Sequence, residues 1–211
     1  MAYLTIAGHA TAEIVVSRSR FLCELERVDD ELSARGVIEQ ARRAHWDARH
    51  HCSAFVIGPA RALERSNDDG EPPGTGGNPM LEVLRGRELS DVVAVVTRWF
   101  GGVLLGTGGL SRAYADAVRA ALDVATIVQR VEQELCEVTV DLAAAGRLEH
   151  ELRSRGTKVL ATEYTDMATL SIAVPLIAVP IAEEIVAELT EGRAALYHRG
   201  RRWVDAPLSA P

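Results

Sequence analysis

The chain has 211 residues, is 47% hydrophobic and 25% charged, and carries a formal net charge of −7. That profile fits one large or two modest globular domains and excludes wholesale disorder. The acidic balance excludes a uniformly basic nucleic-acid coat, although a local basic patch is compatible with it. Twenty-two of the 23 basic residues are Arg, with Lys158 the exception, so any phosphate contact would be made by guanidinium forks.

In chain order, Ile14–Val16 and Arg20–Val28 read as strands. Asp29 and Asp30 can cap a helix over Glu31–His45 that turns Leu32, Val37, Ile38 and Ala41 to one face. Cys52–Gly58 is an apolar run closed by Gly58-Pro59 and reads as a strand and turn. Ser66–Pro79 reads as a polar loop and Pro79–Arg85 as a short helix. Val92–Val96 is a β-branched run expected to be buried on both faces. A glycine-rich stretch, Gly101–Gly109, leads into a helix over Leu110–Ala125 with Leu110, Ala113, Tyr114, Ala117, Val118, Ala121 and Leu122 at helical period. The second half predicts strands at Gln133–Leu142, Thr157–Tyr164, Ala168–Val174 and Ala194–Val204, with helices at Ala144–Arg155 and from Pro180 to Thr190. The order β-α-β-β-α-β is that of a ferredoxin-like domain. The domain boundary falls near Arg130, giving domains 1–130 and 131–211 with no Pro/Ser linker between them. Residues 1–130 carry net −2 and residues 131–211 net −5.

Three isolated cysteines, Cys23, Cys52 and Cys136, form no CxxC pair and no disulfide framework, which points to a reducing cytoplasm. The N-terminus lacks the basic and apolar regions of a signal peptide. The longest apolar run, Ile172–Ala182, has 11 residues and contains two prolines, against about 20 for a membrane span. A cytoplasmic protein with no membrane partner is expected.

Three segments could carry chemistry. Ser66–Gly77 places Asp68, Asp69 and Glu71 within four residues. Such a cluster can bind Mg²⁺ or Ca²⁺ or tune a carboxyl for acid–base work, but it lacks EF-hand spacing, and an acidic turn folded on its own backbone is the plainer reading. Arg98-Trp99-Phe100-Gly101-Gly102 runs on through Gly106, Gly108 and Gly109 to Arg112. Glycines let backbone N–H groups approach an anion, the following helix adds a positive end, and Arg98 and Arg112 bracket the turn. No Lys follows, so this is not a Walker loop, and a structural ion pair of Arg98 with Asp69 or Glu71 is an equal alternative. His45–Cys52 contains His50 and Cys52, which alternation points to one side, away from His51. A buried structural Cys is favoured there over a metal ligand or nucleophile. Near the end Arg193, His198, Arg199, Arg201 and Arg202 concentrate basic charge, read as a guarded edge strand before a nucleic-acid surface.

Taken together, these segments resemble the IMPACT/YigZ family. The resemblance rests on Ser19-Arg20-Phe21, on His45-Trp46-Asp47-Ala48-Arg49-His50-His51-Cys52, on Ser66-Asn67-Asp68-Asp69-Gly70-Glu71-Pro72 with Gly74-Thr75, on Arg98-Trp99-Phe100-Gly101-Gly102, and on Leu105-Gly106-Thr107-Gly108-Gly109-Leu110 with Arg112-Ala113-Tyr114. It covers residues from about 15 to 125 closely. The chain departs from the family pattern at Trp46 (usually Pro), Pro73 (Ser), Gly76 (Ala) and Trp99 (Tyr). The resemblance implies an α+β protein. Its first domain would be a βαβ domain like domain 2 of a ribosomal protein and domain IV of elongation factor G, and its second a ferredoxin-like βαββαβ domain like the C-terminal domain of that factor. It further implies translational control without catalysis, with RNA, the ribosome or a translation-related protein as partner and no cofactor. The residues expected at the contact are Arg98, Trp99, Gly101, Gly102, Gly106, Gly108, Gly109 and Arg112, with His50, Asp68, Asp69 and Glu71. The rival reading is an enzyme on a phosphorylated or peptide substrate, with the acidic loop, His50 and the glycine loop sharing one cleft.

Overall fold

The computed structural model describes residues 2–206 and Leu208. Two compact units divide the chain. One holds residues up to Arg130 and takes in Asp205 and Ala206; the other is Val131–Val204.

The first unit contains strands β1 (Ala2–Ile6), β2 (Ala10–Val16), β3 (Ser19–Arg27), β4 (His50–Ile57), β5 (Leu63–Asn67) and β6 (Val92–Trp99) and helices α1 (Glu31–Ala44), α2 (Gly77–Gly86) and α3 (Gly106–Val124). Five strands form a sheet in the order β2-β3-β6-β4-β5, with each pairing antiparallel. β6 lies at its centre, and residues 92–98 are buried, as the β-branched run required. Helices cover both faces. On one face Ala34, Ile38 and Ala41 of α1 pack on Phe55, Ile57, Val93 and Val95. On the other, α2 and α3 close over Phe21, Cys23, Leu25, Ala54, Val92 and Val96, and the ring of Tyr114 is buried among them.

Local chemistry explains the boundaries. Asp30 caps α1 by accepting from the Ser33 N–H at 2.7 Å. Leu32, expected on the apolar face of α1, instead stands exposed, because Ala34, Ile38 and Ala41 set the face that meets the sheet. Two strands were not expected. β1 is anchored by Tyr3, whose hydroxyl donates to Asp91, and β5 occupies the start of the expected polar loop through its pairing with β4. α3 starts at Gly106, four residues before the expected Leu110, since its first turn is built from glycines that carry no apolar signal.

The second unit is built from most of β7 (Ile127–Val140), α4 (Leu142–Ser154), β8 (Lys158–Tyr164), β9 (Ala168–Pro175), a short 3₁₀ turn (Leu176–Ala178), α5 (Val179–Leu189) and most of β10 (Tyr197–Ala206). The strand order β10-β7-β9-β8 is the ferredoxin-like arrangement expected from the sequence. Its core joins Cys136, Val138, Leu170 and Ile172 to Leu148 and Leu152 of α4 and Ile185 of α5. Among the described residues no helix is long and apolar enough to cross a membrane.

Candidate functional site

The loop between β5 and α2 folds around its acids. Asp68 receives three backbone N–H groups: Gly76 and Gly77 donate to Oδ1 at 2.9 Å, and Gly74 donates to Oδ2 at 2.8 Å. It thus serves the start of α2, where Gly76 has no capping side chain of its own. Partial burial works against the charge, but the three donors hold the Asp68 carboxyl below its ordinary range. Gly77 is required by close approach: a Cβ there would lie 2.5 Å from the Asn67 nitrogen.

Asp69 adopts a positive φ of 43°, steadied by its N–H donating to Asn67 Oδ1 at 2.7 Å. Its carboxylate accepts from the His51 backbone N–H and from Arg42, both at 2.7 Å. Its carbonyl lies 2.9 Å from His50 Nδ1. His51, on the opposite side of β4, is buried and bonds the His45 carbonyl through Nε2 at 3.1 Å.

Glu71 is buried and accepts from Arg98 Nη1 at 2.5 Å and from the Tyr114 hydroxyl at 2.8 Å. One carboxylate therefore ties the loop to β6 and α3. The Arg98 guanidinium lies 5.5 Å from the Phe21 ring centre and 5.6 Å from that of Phe100. Arg98 Nε is buried with no hydrogen-bond partner. Of the two readings left open for Arg98, the structure has the ion pair, with Glu71 as partner and Asp69 committed to Arg42. Cys52 is buried, with Sγ donating to the Asp68 carbonyl at 3.0 Å. Burial pushes its thiol up to about 12, which leaves it without thiolate character at neutral pH.

The glycine loop has a different character. Gly101 lies against the backbone of β3: its N–H donates to Ser19 Oγ at 3.1 Å, and a Cβ would fall 2.0 Å from the Arg18 carbonyl carbon. Beyond it the chain turns outward through Gly102 and Gly106, at φ of 83° and 69°. Phe100, Val103 and Leu104 are exposed, Leu104 at 88%. Gly106 and Gly108 are exposed at the first turn of α3, which has no capping side chain, and Gly109 packs on Leu105. Arg112 stands exposed on α3 beside a shallow pocket shared with Ser17, Leu104 and Asp116. Trp99 is held from three sides: Nε1 donates to Asp47 at 2.8 Å, His45 meets the ring edge-on at 5.4 Å, and the Arg20 guanidinium lies 4.5 Å from its centre.

His50, Asp68, Asp69, Glu71 and Arg98 thus gather at one end of β4 and β6, where His50 and Arg98 are register partners. Gly102, Gly106, Gly108 and Arg112 form a second, exposed group, with Gly101 seated against β3 and Gly109 against Leu105. Among the described residues no three His, Cys, Asp or Glu side chains are grouped to hold a metal ion. Tyr114 and Arg42 belong to the first group although sequence reasoning did not single them out for it. Tyr114 reads there as a core residue of a helix and as part of the family-like Arg112-Ala113-Tyr114, and the Arg42–Asp69 pair spans 27 residues. On β10 the basic residues meet carboxylates: Arg199 pairs with Glu137 at 2.7 Å, Arg201 with Glu134 at 3.1 Å, and His198 lies 3.3 Å from Glu134 and 3.4 Å from Glu183.

Comparison with known proteins places relatives beside this geometry. The family model of the Impact N-terminal domain matches residues 17–122, and that of a domain of unknown function, DUF1949, matches residues 138–193. The IMPACT family member YvyE of Bacillus subtilis (strain 168) is 40% identical over 192 residues, covering 91% of this chain and 88% of its own. The IMPACT family member YigZ of Escherichia coli (strain K12) is 33% identical over 196 residues, covering 92% and 96%. A solved structure described as the crystal structure of an hypothetical protein superposes with a TM-score of 0.64 at 32% identity, covering 92% of this chain and 96% of that one. The Protein IMPACT homolog of Dictyostelium discoideum is 28% identical over 129 residues, covering 59% of this chain and 36% of its own.

Proposed function

Because this chain belongs to the IMPACT family, we propose that it is a non-enzymatic, translation-associated regulator that docks on the ribosome through the tip of its glycine loop and Arg112. The observation that carries this reading is the contrast between the two groups of residues. Glu71 pairs with Arg98 and Tyr114 inside the unit, Asp68 is held by backbone N–H groups and Asp69 by Arg42 and the His51 N–H, whereas the loop from Phe100 to Gly108 presents exposed apolar side chains beside an uncapped helix start. A helix N-terminus with free N–H groups attracts phosphate, Arg112 can take it bidentately, and an exposed Phe100 offers a stacking face to an unpaired base. In this reading Arg98, Glu71 and Tyr114 are positioning residues: they fix the strand and helix between which the loop is slung.

The test is cosedimentation with ribosomes and separated subunits at low and moderate salt. Wild-type protein is expected to bind, and to bind less as salt rises, because phosphate contacts release counterions. Arg112→Glu combined with Leu104→Asp should abolish binding without changing the melting temperature. Binding that is indifferent to both substitutions, or absent at both salt concentrations, contradicts the reading. A pulldown that survives nuclease would assign the partner to protein instead of RNA.

A further inference from the structure

On the α1 side of the first unit's sheet, the helix lies over β4 and β6 and leaves the outer strand β5 uncovered beyond Leu63, which packs on the core. Between α1 and β5 this leaves an open trough of about 320 Å³, within the size range of small-ligand sites, roughly 300–1,000 Å³. The register decides what faces it. Arg65 sits opposite Phe55 and Asn67 opposite Ser53, so these four share the α1 side of the sheet. Glu64 and Ser66 turn to the other face, where they bond Arg85 and Asn78 of α2. The floor of the trough is apolar, made by Ile38 and Phe55.

Its walls carry three guanidiniums. Arg35 and Arg42 line it from α1 and Arg65 from β5, against a single lining carboxylate, Glu39. Arg35 pairs with Glu31, and Arg42 with Glu39 and Asp69. Arg65 has no carboxylate partner among the described residues; its Nη1 donates only to the carbonyl of Glu64, at 2.9 Å. Arg65 is thus the guanidinium of the three not committed to a carboxylate among the described residues, and it stands over an apolar floor with a serine hydroxyl and an amide beside it.

We propose that this trough binds a small phosphate monoester with a planar body, of mononucleotide size, the phosphate taken by Arg65 and Arg35 and the body lying on Ile38 and Phe55. Bidentate guanidinium–phosphate pairing suits the all-arginine walls, and Ser53 and Asn67 supply neutral donors. Arg42 also holds Asp69, so a ligand that draws on Arg42 acts on the acidic loop as well.

The experiment is titration of the full chain at low salt with UMP, with inorganic phosphate and with uridine, followed by amide NMR and calorimetry. UMP is expected to shift the amides of residues 35–42 and 63–67 and to bind at least tenfold more tightly than phosphate or uridine alone. Arg65→Ala, at an exposed position with no carboxylate to abandon, should weaken UMP at least tenfold and leave the melting temperature unchanged. Arg112→Ala should leave the UMP affinity unchanged. No shift at these amides in millimolar UMP overturns the proposal. So does UMP binding untouched by Arg65→Ala, and so does phosphate binding as tightly as UMP, the mark of a nonspecific anion site.

Discussion

Asp68 and Asp69 are neighbours with unlike tasks, and the backbone sets the difference. The positive φ of Asp69, held through Asn67 and the His50 contact to its carbonyl, turns its carboxylate to Arg42 and the His51 N–H. Asp68 stays with the glycine N–H groups at the start of α2. The residue types of this segment were legible in the sequence, and so was the alternation that puts His50 and Cys52 on one side. The pairing was not, because Arg98 can reach either acid until a left-handed residue fixes which one turns inward. Gly76 shows the same dependence on context: a Cβ there would lie 2.4 Å from Cys52 Sγ. The depressed titration of Asp68 has a consequence for stability. A carboxyl held below its unfolded value stabilises the fold above that value, about pH 4, and the contribution is lost as pH falls through the folded value. Urea midpoints measured from pH 7 to pH 2 should therefore fall more steeply for wild type than for Asp68→Asn, and parallel curves would show that the three N–H donors do not act on the charge.

At the scale of elements, those with a strong period were legible: α1, β4, β6 and α3 each carry an apolar face or run that burial alone accounts for. β5 was not, since Leu63-Glu64-Arg65-Ser66-Asn67 has no apolar alternation and is held by its ladder to β4 and by the Glu64–Arg85 pair. The glycine start of α3 was hidden for the opposite reason: residues that weaken a helix interior open this one, where backbone approach and turning outweigh propensity. Gly101 is the position on which the loop depends. Gly101→Ala would drive a Cβ into the Arg18 carbonyl, so the loop must lift from β3. The expected outcome is a destabilisation of about 1–3 kcal/mol, as for other overpacked sites, together with lost ribosome binding. Gly102→Ala meets no neighbouring atom, and its cost is confined to the strained φ. Circular dichroism melts and cosedimentation of the two variants check this ranking.

Across the whole molecule, the β-α-β-β-α-β order was enough to give the ferredoxin-like sheet, because short connections leave few ways to pair four strands. Near Arg130 no linker was visible in the sequence, and β7 runs without a break from Ile127 to Val140. All three cysteines are buried, and burial raises each thiol. A thiol reagent at neutral pH should therefore label native protein slowly and all three sites rapidly in denaturant; fast labelling of Cys52 in the native state would contradict its placement under the acidic loop. In the proposed function two arginines of the same motif divide the labour, Arg98 as a buried support and Arg112 as a surface contact. Thermal denaturation of Arg98→Ala beside Arg112→Ala tests it most directly. Removing Arg98 leaves Glu71 buried without its cation, a loss of about 3–5 kcal/mol, which at roughly 3 °C per kcal/mol for a chain of this size lowers the melting temperature by about 10 °C. Arg112→Ala should melt with wild type. An Arg98→Ala protein as stable as wild type would contradict the account, because the guanidinium would then be free for a partner and the buried pair would support nothing.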